Sequence, residues 1–174
     1  MRIMKKLFPF LFVLFVGAKS IASGTGLTWY TNLDSVVTIS NETQKPIFGF
    51  FTGSDWCGWC IKLQKNVFAK QAFIDWANAN VVLLELDFPR NNQQSAELKA
   101  QNQSLQQAFG IQGYPTCWIF TAARDTTTNN YALTAWGKLG YPYGPDVIVG
   151  QEELKFLSDA AVVMEKNPAK KAQN

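Results

Sequence analysis

The chain of 174 residues contains no histidine. That absence excludes Ser-His-Asp and Cys-His nucleophilic centres. It also removes the commonest zinc ligand and the side chain best suited to proton transfer near neutral pH. Cysteine is scarce, with three in the whole chain. Small exported domains held together by disulfides are much denser in cysteine. Here 47% of residues are apolar, so packing can hold the fold and the cysteines are free for chemistry. There is also no apolar run of the roughly 20 residues that a spanning helix needs. The longest, Leu7 to Val16, is about half that length and is interrupted by Pro9.

That run reads instead as the centre of a secretory signal peptide. Arg2, Lys5 and Lys6 make the positive start, and Ser20-Ile21-Ala22 supplies the small residues of a cleavage site. Cleavage is expected after Ala22, with Ala18 as the second choice. No cysteine follows either site, so no lipid anchor is expected. The domain reading is therefore a signal peptide at 1–22 and one domain at 23–174, with its core at about 29–166 and a loose tail at 167–174. Cleavage after Ala22 removes four basic residues and leaves twelve basic against thirteen acidic ones. No basic stripe remains for nucleic acid. No heptad pattern suggests oligomerisation, and a monomer is expected.

Along the chain, Asn32 is placed to cap a helix, although Val36, Val37, Thr38 and Ile39 favour strand. The cap tips the reading to a short helix. Ile47 to Thr52 reads as a buried strand. A helix should start near Cys57, with Cys60, Leu63 and Val67 on its buried face, and a second helical piece should cover Gln71 to Ala79. Val81 to Asp87 reads as another strand, apolar enough for a sheet covered on both faces. Ser95 should cap a helix to Phe109 whose Gln and Asn residues form the solvated face, and Gly110 should end it. Cys117 to Thr121 and Tyr131 to Trp136 read as a hairpin across the polar loop Ala122 to Asn130. A last helix is expected from Glu152 to Lys166, with Leu154, Leu157, Ala161 and Met164 on its core face. The sum is an α/β fold, a central mixed four-stranded sheet flanked by helices.

The chemistry concentrates in Asp55-Trp56-Cys57-Gly58-Trp59-Cys60, where a strand runs into a helix. At a helix start the backbone N–H groups and the dipole favour negative charge. This raises the thiolate fraction of Cys57. Cys60, about one turn on, lies within reach. Cys57 can then attack a disulfide, and Cys60 can resolve the mixed disulfide. Other readings compete. A zinc site needs about four ligands, and the only other cysteine is Cys117. Haem attachment needs a histidine where Ile61 stands. A structural disulfide over this gap would remove little loop entropy. Trp56 and Trp59 flank the pair. Trp56 reads first as half-buried packing, and Trp59 as exposed and functional. Cys117, in an apolar strand, reads as a small buried hydrophobe.

The segment Phe51 to Cys60 resembles exported bacterial proteins of the thioredoxin superfamily. Leu84 to Arg90 is similar to that group's second strand and exit loop, Gly113-Tyr114-Pro115-Thr116 to its cis-proline segment, and Gly140-Tyr141 to its late glycine turn. The resemblance runs over roughly residues 29–165, and within the superfamily it points to periplasmic disulfide reductases of the DsbH kind. It implies that Pro115 is cis and faces the Cys57–Cys60 pair, against the alternative of an ordinary trans turn. It implies substrate contacts from Trp56, Gly58, Trp59, Tyr114 and Pro115. The redox-active disulfide would be the only redox group, with no metal or other cofactor. Thioredoxin carries a buried carboxylate six residues before its first active cysteine, and here that residue is Phe51. Proton acceptance from Cys60 would pass to water or another group, with Glu85 and Asp87 as candidates.

The direction of the chemistry is expected to be reductive. Strong oxidants and isomerases of this superfamily carry a histidine between the cysteines, and Gly58-Trp59 supplies no charge. A helix terminus contributes only about 0.3–1 kcal/mol. The implied partners are disulfide-containing periplasmic proteins or small thiols, and a membrane electron donor that re-reduces the pair. An oxidase, an isomerase and a peptide-binding module stand as alternatives.

Overall fold

The computed structural model describes residues 26–125, 127–128 and 130–168. The expected signal peptide and the last six residues of the tail lie outside that set. From Trp29–Tyr30 (β1) the chain passes through helix Leu33–Thr43 (α1) to strand Ile47–Thr52 (β2). Helix Gly58–Leu63 (α2) continues into a π-helical turn at Gln64–Phe68. Helix Gln71–Asn80 (α3), strand Val82–Asp87 (β3) and helix Ala96–Ala108 (α4) follow. Strands Thr116–Arg124 (β4) and Tyr131–Leu139 (β5) then lead to helix Glu152–Met164 (α5).

The sheet has five strands in the order β1-β3-β2-β4-β5, not the four expected. The extra strand is the two-residue β1, parallel to β3 through Trp29↔Leu83 and Tyr30↔Leu84. Two residues are too few to show a periodicity. β2 runs parallel to β3 and antiparallel to β4. It is therefore central, and all six of its residues are buried. The hairpin is longer than expected, because Ala122↔Leu133, Ala123↔Ala132 and Arg124↔Tyr131 extend the pairing into the polar stretch.

Strand alternation divides the core between the two faces. Phe48, Phe50, Cys117 and Ile119 share a cluster with Phe68 of the π-helical turn, Phe73 of α3 and Phe156 of α5. Ile47, Phe51, Leu84, Leu86 and Phe120 face α1 and α4. The cap expectation for α1 is met: Asn32 Oδ1 accepts the Ser35 N–H at 2.9 Å. The β-branched Val36 and Val37 are helical because that geometry buries both. Burial outweighs their small strand preference.

Two expectations about helix faces are corrected. In α5 the buried apolar residues are Phe156, Ala160 and Val163, whereas Leu154 and Ala161 are exposed and Leu157 and Met164 only partly buried. Both stripes have helical spacing, and the larger ring of Phe156 takes the place against the aromatic cluster. In α4 the polar residues are not all solvated. Asn102 is fully buried and donates to the Asp87 carbonyl at 2.9 Å. Gln101 ties α4 to the start of α1 and the residue after β1, accepting from Leu33 N–H and donating to Thr31 O. Gly110, with φ +58°, ends α4 as expected.

Candidate redox site

β2 ends at Thr52, and the chain turns sharply through Gly53 to Trp56. The Gly53 carbonyl accepts the N–H groups of Trp56 and Cys57, at 3.3 and 2.9 Å. Gly53 is buried, and a Cβ there would lie 2.3 Å from the Trp56 ring, so only glycine lets that indole lie flat on the turn. Two carboxylates fasten the turn. Asp87, at the end of β3, accepts the backbone N–H and hydroxyl of Ser54. Asp55 accepts the backbone N–H groups of Arg90, Asn91 and Asn92, and these hold its carboxyl below the usual carboxylate range. Asp87 is thereby committed to the turn.

Cys57 caps α2, and its carbonyl accepts the N–H groups of Cys60 and Ile61. Cys57 and Cys60 are joined in a disulfide, with Cα atoms 5.2 Å apart, and the Cys57 Sγ accepts the Cys60 N–H at 3.2 Å. Cys60 is fully buried and Cys57 is 6% exposed, so a partner sulfur can approach from the Cys57 side only. Gly58 is exposed, and a side chain there would meet nothing, so it leaves the approach open.

Two aromatic walls flank the pair. On one side Trp56 donates its Nε1–H to the Phe88 carbonyl at 2.8 Å and meets Tyr114 edge to face at 5.6 Å. Tyr114 is fixed in turn by Gln106, whose amide donates to its hydroxyl. Trp56 is thus half-buried and structural while its ring still borders the site. On the other side Trp59 is 56% exposed and meets Tyr141 edge to face at 5.1 Å, and the Asn66 amide donates to the Tyr141 hydroxyl. Each tryptophan carries a cation on its ring: Arg90 at 4.0 Å from Trp56 and Lys62 at 4.3 Å from Trp59. Sequence reasoning missed both cations. Lys62 was findable, three residues past Trp59 on one helix face. Arg90, far off in sequence, carried no such signal.

The Tyr114–Pro115 bond is cis. Among the described residues, neither the N–H nor the carbonyl of Tyr114 has a hydrogen-bond partner, so this backbone offers a free edge. Phe51 packs among Leu105, Phe109 and Leu86 on the far face of the sheet. Glu85, opposite Phe50 in the register, lines a cavity of about 500 Å³ with Phe50, Ile61, Gln64 and Phe68. Burial, reinforced by the charge of Asp87, raises its carboxyl pKa. Cys117 is fully buried, paired in register with Phe50 and Leu139, and burial pushes its thiol well up. The described residues contain no cluster of ligands that would hold a metal ion. A larger cavity of about 750 Å³ lies between α1, α4 and β5, lined by other residues than those of the cysteine pair.

Residues 33–128 match the family model of the thioredoxin-like domain. Over 76 residues the chain is 41% identical to the disulfide bond reductase DsbH of Chlamydia pneumoniae, covering 44% of this chain and 46% of that protein. Over 99 residues it is 27% identical to the thioredoxin-related protein DsbJ of the same organism, covering 57% of this chain and 28% of that one. The matches thus span less than half the length of these curated relatives. Among solved structures, a DsbH oxidoreductase superposes with a TM-score of 0.66 at 24% identity, over 86% of this chain and 92% of that one. A thioredoxin from Thermus thermophilus superposes with a TM-score of 0.56 at 15% identity, over 83% and 92%. The fold, the matched domain and the cysteine pair at the start of α2 agree, and the chain belongs to the thioredoxin-like family.

Proposed function

We propose that the protein is an exported thiol–disulfide oxidoreductase that works as a disulfide reductase in the periplasm. The observation that carries this reading is the Cys57–Cys60 disulfide at the start of α2, with only Cys57 near solvent. In the reduced protein, the Cys57 thiolate attacks one sulfur of a substrate disulfide. The substrate S–S bond breaks, and its second sulfur leaves as a thiolate that takes up a proton. Cys60 then loses its proton and attacks the Cys57 sulfur. The substrate departs with both thiols reduced, and the Cys57–Cys60 disulfide is restored. Two electrons pass from the pair to the substrate, so no metal or other cofactor is required. Trp56, Gly58, Trp59, Tyr114 and Pro115 form the substrate contacts. The free backbone of Tyr114 suits strand addition by an extended segment. A membrane donor supplies electrons to the oxidised pair.

The similarity to a protein named as a disulfide bond reductase supports the reductive direction. So does the absence of histidine between the cysteines, although Arg90 and Lys62 add positive charge beyond the two tryptophans. The test is the reduction potential of the pair, titrated against dithiothreitol and followed by tryptophan fluorescence. A value near that of thioredoxin, about −270 mV, is expected. A value near about −120 mV would make the protein an oxidase and overturn the direction. Cys57→Ser should abolish turnover while leaving peptide binding intact, and full activity in that variant would dismiss the pair.

A further inference from the structure

Where β3 ends, the chain crosses to the start of α4 and borders a small cavity of about 360 Å³. Its polar lining is Arg90, Lys99, Asn92, Gln93, Gln94 and Gln103, with no acidic side chain. Two positive charges and four amides with N–H donors suit an anion. The carboxylates of this region are engaged elsewhere. Asp55 accepts the backbone N–H groups of Arg90, Asn91 and Asn92, Asp87 accepts those of Ser54, and Glu97 lines the cavity beside α1. Among the described residues, neither Arg90 nor Lys99 has a carboxylate partner. Gln94 donates one amide N–H to the Asp87 carbonyl at 3.2 Å, which leaves it the second.

The cavity shares a wall with the redox site. Phe88 and Arg90 both line it. Arg90 lies on the Trp56 ring, the Phe88 carbonyl accepts the Trp56 Nε1–H, and the Phe88 ring meets Tyr114 at 5.4 Å. Trp56 directly precedes Cys57, so their Cα atoms stand about 3.8 Å apart. The same indole therefore borders the cysteine pair and carries a cation of the cavity. A guanidinium on a ring face keeps its N–H fork for a carboxylate. The volume is at the small end for ligand sites, which run from about 300 to about 1,000 Å³. It suits one charged group and its neighbours, not a length of chain. Two extended residues reach about 7 Å, which brings a carboxylate beside a substrate cysteine within range of a neighbouring cavity.

We propose that this cavity is an anion subsite of the redox centre. It takes a carboxylate carried beside the substrate sulfur, and Arg90 and Lys99 select disulfides of that class over neutral ones. The inference rests on the redox reading above and narrows its substrate class to anionic disulfides. Oxidised glutathione and an acidic peptide segment carry this same chemistry. Arg90 and Lys99 act on binding, and the sulfur steps are unchanged.

The test mixes the reduced full chain with excess disulfide and follows its oxidation by tryptophan fluorescence in a single turnover. Oxidised glutathione and a peptide disulfide with Glu beside each cysteine are the anionic substrates. Hydroxyethyl disulfide and the same peptide with Gln are the neutral ones. Lys99→Glu should slow the anionic substrates about three- to tenfold and leave the neutral ones within about twofold. Loss on glutathione alone would assign the subsite to a small thiol, and loss on the peptide alone to a protein segment; either carries the proposal. Arg90→Gln should lower the same anionic-to-neutral ratio, whereas a change in the Cys57 thiolate would move all four rates together. Raising the ionic strength from about 0.01 M to about 0.15 M should shrink the wild-type preference, as the screening length falls from about 30 Å to about 8 Å. Lys99 is exposed, so folding should be unaffected, and Lys99→Arg should keep the wild-type ratio. An unchanged ratio in Lys99→Glu, or an equal loss on all four substrates, would overturn the inference and leave the redox reading standing. A reduced wild-type chain that none of the four oxidises would remove the redox reading, and the subsite with it.

Discussion

Gly53 shows how one residue sets the geometry of the site. Its missing side chain is what allows the Trp56 ring to cover the turn, border the cysteine pair and carry Arg90. Gly53→Ala must displace that ring, and the cost expected of overpacking is about 1–3 kcal/mol. Urea denaturation followed by tryptophan fluorescence measures it, and an unaltered midpoint would mean that the ring has another place to go. Glu85 is a second decisive residue, because burial raises its carboxyl pKa. The folded protein therefore holds the proton more tightly than the unfolded chain does. Wild-type stability should fall as pH rises from the ordinary value, 4.5, through the raised one. Glu85→Gln removes this penalty, so the variant should be the more stable at neutral pH and show no such advantage below about pH 4. Denaturation midpoints at the two pH values check this. An advantage of equal size at both would assign the effect to packing instead of charge.

At the scale of elements, α5 invites a direct comparison. Phe156→Ala should cost about 3–5 kcal/mol, as deletion of a buried ring does. Leu154→Ala should stay within about 0.5 kcal/mol, as at an exposed position. Equivalent losses in thermal unfolding would show that Leu154 shares the core. The same helix shows where sequence reading succeeds and where it stops. Its existence and its start at Glu152 were legible from spacing, as were β2, α3 and, from its side chain, the Asn32 cap of α1. Its buried face was not, because two apolar stripes of equal spacing compete and only the partner surface chooses between them. The inward turn of Asn102 was hidden for a related reason: its partner, the Asp87 carbonyl, lies on another element. The cysteine pair was fully legible because its meaning depends on local spacing and a helix start. The charges beside it were legible only in part, since Arg90 arrives from the far end of β3.

For the whole molecule, folding and redox state are linked. A strong oxidant is more stable with its pair reduced. A reductase should show the reverse, so the oxidised protein should unfold at a higher urea concentration than the reduced one. A more stable reduced form would contradict the reductive direction even before a potential is measured.

The burial of Cys117 extends further than inertness. It sits beside Phe50 on the neighbouring strand with no exposed surface, so the folded protein offers its sulfur to no partner or alkylating agent. A Cys60→Ser chain would therefore stall with its partner held through Cys57 alone. Each captured adduct would have one attachment point and one stoichiometry. The scaffold thus makes that variant a clean bait for the disulfide-bearing partners that the proposed chemistry implies.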